Sequence, residues 1–176
     1  MSIRVDLVQG RGKQCWPRPG RIFAAARSHT FKALADAIDD AFARWDRSHL
    51  QEFTLADQAR LCLPDPDWEI DSTVSEDYQR VTLSRLWPGE RFVYVFDLGD
   101  DWAHLCTVGP QPIDPLETLG IVPGKPLPYF GWGDIPDQYG RRWDGDDGES
   151  SPPGDPSLTD LPALRPDWGP ATTQPW

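Results

Sequence analysis

The sequence predicts an α+β fold: a mixed, mainly antiparallel sheet with one long helix packed on one face, in β-β-α-β order, and a loop-rich C-terminal part. Three observations carry that prediction. Ile3, Val5 and Leu7 alternate with Arg4 and Asp6, and Phe92, Tyr94 and Phe96 alternate in the same way, which is the period of a strand with one buried face. Between these strands, Thr30 precedes Phe31, Leu34, Ala35, Ile38, Phe42 and Trp45, apolar residues at helical spacing with an N-cap in front of them. Beyond Pro110, proline and glycine dominate and regular structure becomes sparse. Hairpin, helix and further strand is also the order of β-grasp modules, an analogy of fold that supplies no function. A chain of 176 residues has room for one domain with a substantial core. We place that domain at residues 1–148 and a Pro-rich tail, disordered or loosely docked, at 149–176.

The first strand is followed by Gly10-Arg11-Gly12-Lys13, which looks like part of a phosphate-cradling loop but lacks the spaced second glycine and the Lys-Ser or Lys-Thr pair. Residues 21–26 read as a second strand, pairing with the first through a wide, proline-containing connection. The helix carries Lys32, Asp36, Asp39, Asp40 and Arg44 on its other face, the ordinary composition of a solvent side, so Asp39 and Asp40 are read as solvated. A break at residues 46–50 leads into a strand at 52–55. His49 sits at that junction, where a lone histidine is usually a hydrogen-bonded structural residue. Pro64-Asp65-Pro66-Asp67 marks a turn, and Glu69, Asp71, Glu76 and Asp77 read as an irregular, solvated connection. Leu83, Leu86 and Trp87 form one short helical turn that Pro88-Gly89 ends.

The aromatic strand at 92–96 runs into Asp97-Leu98-Gly99-Asp100-Asp101, the residues a tight turn wants, and returns through Trp102 and His104. Asp97, Asp100 and His104 therefore lie close together at one sheet end. Such a cluster is open to three roles: binding a metal, moving a proton, or tying down the turn. Cys106, on the returning strand, has no basic neighbour in sequence to lower its pKa and reads as core. Gly131-Trp132-Gly133-Asp134-Ile135-Pro136-Asp137-Gln138-Tyr139-Gly140 is too aromatic for a flexible linker and reads as an ordered loop folded back over the domain. Residues 143–149 resemble a calcium loop only superficially, because the terminal glutamate and helical flanks of an EF-hand are missing.

The formal charge of −11 would repel a phosphate backbone, which excludes direct nucleic-acid binding as the expected role. Arg141 and Arg142 read as a solvated surface pair. Cys15, Cys62 and Cys106 suggest neither a disulfide framework nor a zinc knuckle. The N-terminus lacks signal-peptide order and no apolar run is long enough to span a membrane, so the expected location is the cytoplasm.

Three segments, in this order, resemble the plasmid pRiA4b ORF-3-like family, a group of mostly uncharacterised bacterial and archaeal proteins, some encoded with mobile elements. The stretch from Thr30-Phe31-Lys32-Ala33-Leu34 to Trp45, with His49, Leu50 and Phe53, is similar to the family's helix-to-strand segment. Tyr94 to His104 is similar to its aromatic, Asp-x-Gly-Asp and Trp-x-His hairpin. Gly133 to Gly140 looks like a degenerate form of its Pro-Pro-Glu-Asp-Cys-Gly-Gly loop. The resemblance spans residues 1–148 and implies a fold, not a reaction. Departures weaken any metal or catalytic site built on the missing groups: Trp16-Pro17-Arg18 stands where Trp-Arg-Arg is common, Ala103 replaces a glutamate, and the last loop keeps Asp137 but loses its neighbouring glutamate and cysteine.

Two functions from different classes compete. The first is a non-enzymatic protein-interaction module, because nine tryptophans exceed what one helix and one sheet require and aromatic residues near a surface anchor interfaces. Its expected partner surface is Trp102, Trp132, Asp137 and Tyr139. The second is a metal-assisted hydrolase using Asp97, Asp100 and His104 with His49 alongside, the two histidines and one aspartate holding a divalent metal that acidifies bound water. A frequent role of Asp-x-Gly-Asp in turns, with the first carboxylate capping backbone amides, weighs toward the first. The mobile-element setting of relatives suggests a third, a DNA-associated accessory factor acting through another protein.

Overall fold

In the computed structural model the described residues are 1–63 and 75–141. The turn at 64–67, Glu69, Asp71, Arg142, the calcium-like loop at 143–149 and the tail at 149–176 with Trp168 and Trp176 lie outside them.

The strands are β1 (Ser2–Gly10), β2 (Lys13–Gln14), β3 (Gly20–Ala24), β4 (Gln51–Thr54), β5 (Arg60–Cys62), β6 (Ser75–Asp77), β7 (Arg91–Phe96), β8 (Trp102–Val108) and β9 (Leu127–Trp132). The helices are α1 (Phe31–Ala41) and the short α2 (Pro115–Leu119), with a 3-10 turn at Leu83–Arg85. The strands form one mixed sheet in the order β6-β5-β4-β7-β8-β1-β3-β9, with β2 paired to the end of β1. Every pairing is antiparallel except β5 with β6.

Alternation puts one set of side chains under α1. Phe53, Tyr94, His104 and Leu7 are successive cross-strand partners and make a continuous row across β4, β7, β8 and β1. All four are fully buried. The helix lays Phe31, Leu34, Ala35, Ile38 and Phe42 on this face, and the Phe31 ring meets Phe53 edge-on at 5.1 Å between centroids. Thr30 caps the helix as expected, its hydroxyl accepting from the Ala33 N–H at 3.1 Å.

Several boundaries differ from the sequence reading. The helix stops at Ala41 because the chain turns left-handed at Ala43, with φ of 54°, which carries Arg44 and Trp45 off the helix axis. Asp39 is not solvated: it is fully buried, and its position eight residues after Phe31 falls inside the apolar stripe. Glu76 and Asp77 belong to β6 instead of an irregular connection, held by parallel pairing to β5. The last described strand, β9, follows Pro110 and pairs with β3. Gly10 and Gly20 are required where the sheet is covered by indoles, since a Cβ would stand 2.0 Å from the Trp102 ring and 2.2 Å from the Trp132 ring.

Candidate functional site

The turn between β7 and β8 is built around Asp97. Its φ of 56° starts the reversal, and Oδ1 accepts from the N–H groups of Gly99 at 3.0 Å and Asp100 at 3.2 Å. This commits one carboxylate oxygen to the backbone. The other faces Nδ1 of His49 at 3.3 Å.

His49 reaches that position because the chain from Ala43 to Leu50 runs across the sheet end, where the Leu50 carbonyl accepts from the Asp97 N–H. The His49 ring packs edge-on to Phe96, and Nε2 lies 2.7 Å from the Tyr139 hydroxyl. That hydroxyl donates to Oδ2 of Asp46 at 2.8 Å, so its bond with His49 is accepted from Nε2–H. Oδ1 of Asp46 takes the Ser48 N–H and hydroxyl. Hydrogen bonds from Ser48 and Tyr139 hold Asp46 well below the usual carboxylate range, while burial and the Asp46 bond push Tyr139 up to about 12.

The loop from Ile135 to Arg141 closes the arrangement. Gln138 is fully buried and pairs with Asp46 as a strand would, Nε2 donating to its carbonyl and Oε1 accepting its N–H. Asp137 accepts from Trp45 Nε1 at 3.0 Å, from the N–H groups of Tyr139 and Arg141, and from the side-on fork of Arg141. Burial alone pushes the Asp137 carboxyl up; these bonds hold it below its ordinary value. The Arg141 guanidinium lies 4.0 Å over the Trp45 ring, which packs edge-on to Tyr139. On the other side Arg11, between β1 and β2, bonds the Tyr139 carbonyl and pairs with Asp100 at 3.6 Å.

Of the expected site residues, His49, Asp97, Asp100, Asp137 and Tyr139 are brought together. His104 is not among them. Its ring is fully buried in the sheet, edge-on to Phe42 at 4.8 Å, with Nδ1 3.4 Å from the Tyr94 carbonyl. Burial, reinforced by the Arg44 charge, pushes it down to about 3, so it is neutral at physiological pH. Among the described residues, no three His, Cys, Asp or Glu side chains gather as metal ligands would. Trp102 and Trp132 are corrections to the expected partner surface: each is 3% exposed, Trp102 beneath Arg44 and Trp132 with Nε1 donating to the Arg18 carbonyl.

The plasmid pRiA4b ORF-3-like protein family matches residues 2–114. The chain belongs to this family. In fold the chain is similar to the solved Methanosarcina mazei protein of unknown function MM3350, 18% identical, with a TM-score of 0.57 over 74% of this chain and 67% of that one. No curated protein matches. The family match takes in α1, His49 and the hairpin with Asp97, whereas Asp137 and Tyr139 lie beyond its last matched residue. No described helix is long and apolar enough to cross a membrane.

Within this site, sequence reasoning missed Arg11, Trp45, Asp46, Gln138 and the role of Arg141, which ties down Asp137. Trp45, at the end of the helical pattern, and the Asp46-x-Ser48 turn carried a usable signal. Gln138 carried none, because a buried amide acting as a strand surrogate leaves no pattern in its neighbours.

Proposed function

We propose that this pRiA4b ORF-3-like chain is a non-enzymatic interaction module that presents the sheet end around His49 to a basic segment of another protein. One observation carries this reading. The polar side chains of the cluster are bonded to one another, while the apolar residues at its border stay open: Trp45 is 42% exposed, and Leu50 and Leu98 are each 40% exposed. Asp97 is spent through Oδ1 on the turn while Oδ2 faces the His49 ring, Asp46 is spent on Ser48 and Tyr139, and Asp137 on Trp45 and Arg141. A general base needs a lone pair aimed at substrate; here the bonds instead fix the shape of a surface. Aromatic and leucine side chains held on a rigid frame supply apolar contact, and the acidic chain supplies attraction for a basic partner.

The test is site-specific crosslinking. A photoreactive side chain at position 98, in cells of the source organism, should trap one basic partner, and Trp45→Ala should abolish the adduct without lowering Tm by more than a few degrees. Adducts only with a second copy of the chain, or an adduct untouched by Trp45→Ala, would overturn the reading.

A further inference from the structure

Below that surface, and independently of it, lies a second polar corner. Arg44 is 1% exposed, and its guanidinium rests 3.7 Å over the Trp102 ring. Nη1 donates to the Pro136 carbonyl at 3.2 Å. Nε and Nη2, both buried, have no hydrogen-bond partner among the described residues, and neither do Nε1 of Trp102 and Nε2 of His104. Trp102 and His104 are two residues apart on β8 and so point to the same face of the sheet.

The orphaned pair on Arg44 has a specific shape. Nε and the neighbouring Nη2 form the side-on fork of a guanidinium, two parallel N–H groups that match the two oxygens of a carboxylate or phosphate. This protein uses that fork repeatedly: Arg4 grips Asp6, Arg60 grips Glu52 and Arg141 grips Asp137, each through Nε and Nη2. Arg44 is more deeply buried than those three and has no carboxylate on its fork. Two acidic residues act on it electrostatically, but their oxygens are engaged elsewhere. Asp39 accepts from Tyr94, Gln51 and Arg47, and Asp137 from Trp45, Tyr139 and Arg141. Burial pulls Arg44 down to about 10, which leaves it charged at neutral pH.

A buried cation with its fork unpaired is destabilising unless a counterion and hydrogen-bond acceptors meet it. Water would accept from the N–H groups but would add no charge to that of Asp39 and Asp137, neither of which meets the fork. We infer that the Arg44 fork, stacked on the Trp102 ring and close enough to act on His104, is an internal binding site for a small oxyanion of the carboxylate or phosphate class. The stacked indole fixes the plane of the guanidinium, and half-buried Cys15 and Ile135 pack on the core near it. Through Nη1 and Pro136, the same arginine braces the loop that carries Asp137 and Tyr139.

The full chain, unfolded in urea and refolded in buffer whose only anion is chloride, is titrated with sodium acetate and with sodium phosphate against sodium chloride at matched ionic strength. Tm should rise saturably with acetate, phosphate or both, but not with chloride, and Arg44→Gln should lose the rise. The indole N–H resonance assigned through Trp102→Phe should move along the same curve in the wild type, which keeps the test decisive if Arg44→Gln fails to fold. Acetate alone acting would identify the ligand as a carboxylate, and phosphate alone as a phosphate. A flat response, one equal to chloride, an unmoved Trp102 resonance, or a response retained by folded Arg44→Gln would overturn the site.

Discussion

Gln138 does the work of a missing strand. Its amide supplies a donor and an acceptor to the backbone at Asp46, so a connection with no sheet neighbour is still paired inside the fold. Gln138→Ala removes both bonds from the half-buried backbone at Asp46 and should lower stability by about 1–3 kcal/mol, at about 0.5–1.5 kcal/mol per bond, read from urea unfolding at constant m-value. His104 makes a different demand on its surroundings. Its ordinary value of 6.5 falls to about 3 in the fold, so the unfolded chain binds more protons between those values. Its contribution is therefore full above about pH 6.5 and is lost as pH falls toward 3. His104→Gln should gain Tm relative to the wild type as pH falls through this window, and a constant difference would contradict the burial described for this ring. His104 was legible as part of the hairpin but not as core, because its motif places it at a turn while the β8 register, set by Leu7 and Tyr94, carries it inward.

At the scale of elements, α1 is fixed to the sheet by a polar tie as well as by its apolar stripe. Asp39 accepts from the Tyr94 hydroxyl and the Gln51 amide, each at 2.8 Å, and from Arg47 at 3.1 Å. Burial pushes its carboxyl up from 3.8 to about 7, outweighing the lowering by Tyr94 and Arg47. The sign is opposite to that of His104: the folded chain binds more protons here, so stability is greatest at low pH and is lost as pH rises from about 4 through 7. Asp39→Asn should remove that loss, visible as a Tm that gains on the wild type as pH rises over this interval. The helical spacing of 31, 34, 35, 38 and 42 made α1 legible, and the same spacing placed 39 among them. Charge alone argued for solvent, and it lost to position. β5, β6 and β9 were not legible for another reason. The first two are three residues long, and β9 contains Pro128, which an edge strand tolerates because one side of it needs no ladder bond. Each exists through its partner strand and not through its own pattern.

Across the whole molecule, these two titrations oppose each other on the same sheet face. Between about pH 4 and 6.5 the His104 contribution grows as the Asp39 contribution fades, so the wild type should show a shallow Tm profile there, whereas either single variant should show a slope. His104→Gln should slope downward with rising pH, and Asp39→Asn upward; matching slopes in the two would refute the pairing. The α+β architecture itself followed from periodicity alone. The candidate site followed only in part: the segment through His49, the hairpin and the loop at 133–140 each carried a motif, but nothing in the sequence showed that they meet or that Arg11 joins them.

The bonds from the loop at 135–141 to Arg44, Trp45, Asp46 and His49 join residues about 90 positions apart. Long-range closure of this kind is made after the strands between have paired, because each loop spanned must first lose its freedom. The surface around His49 is therefore a certificate of completion: a partner that recognises it distinguishes a finished chain from one still being assembled or already coming apart.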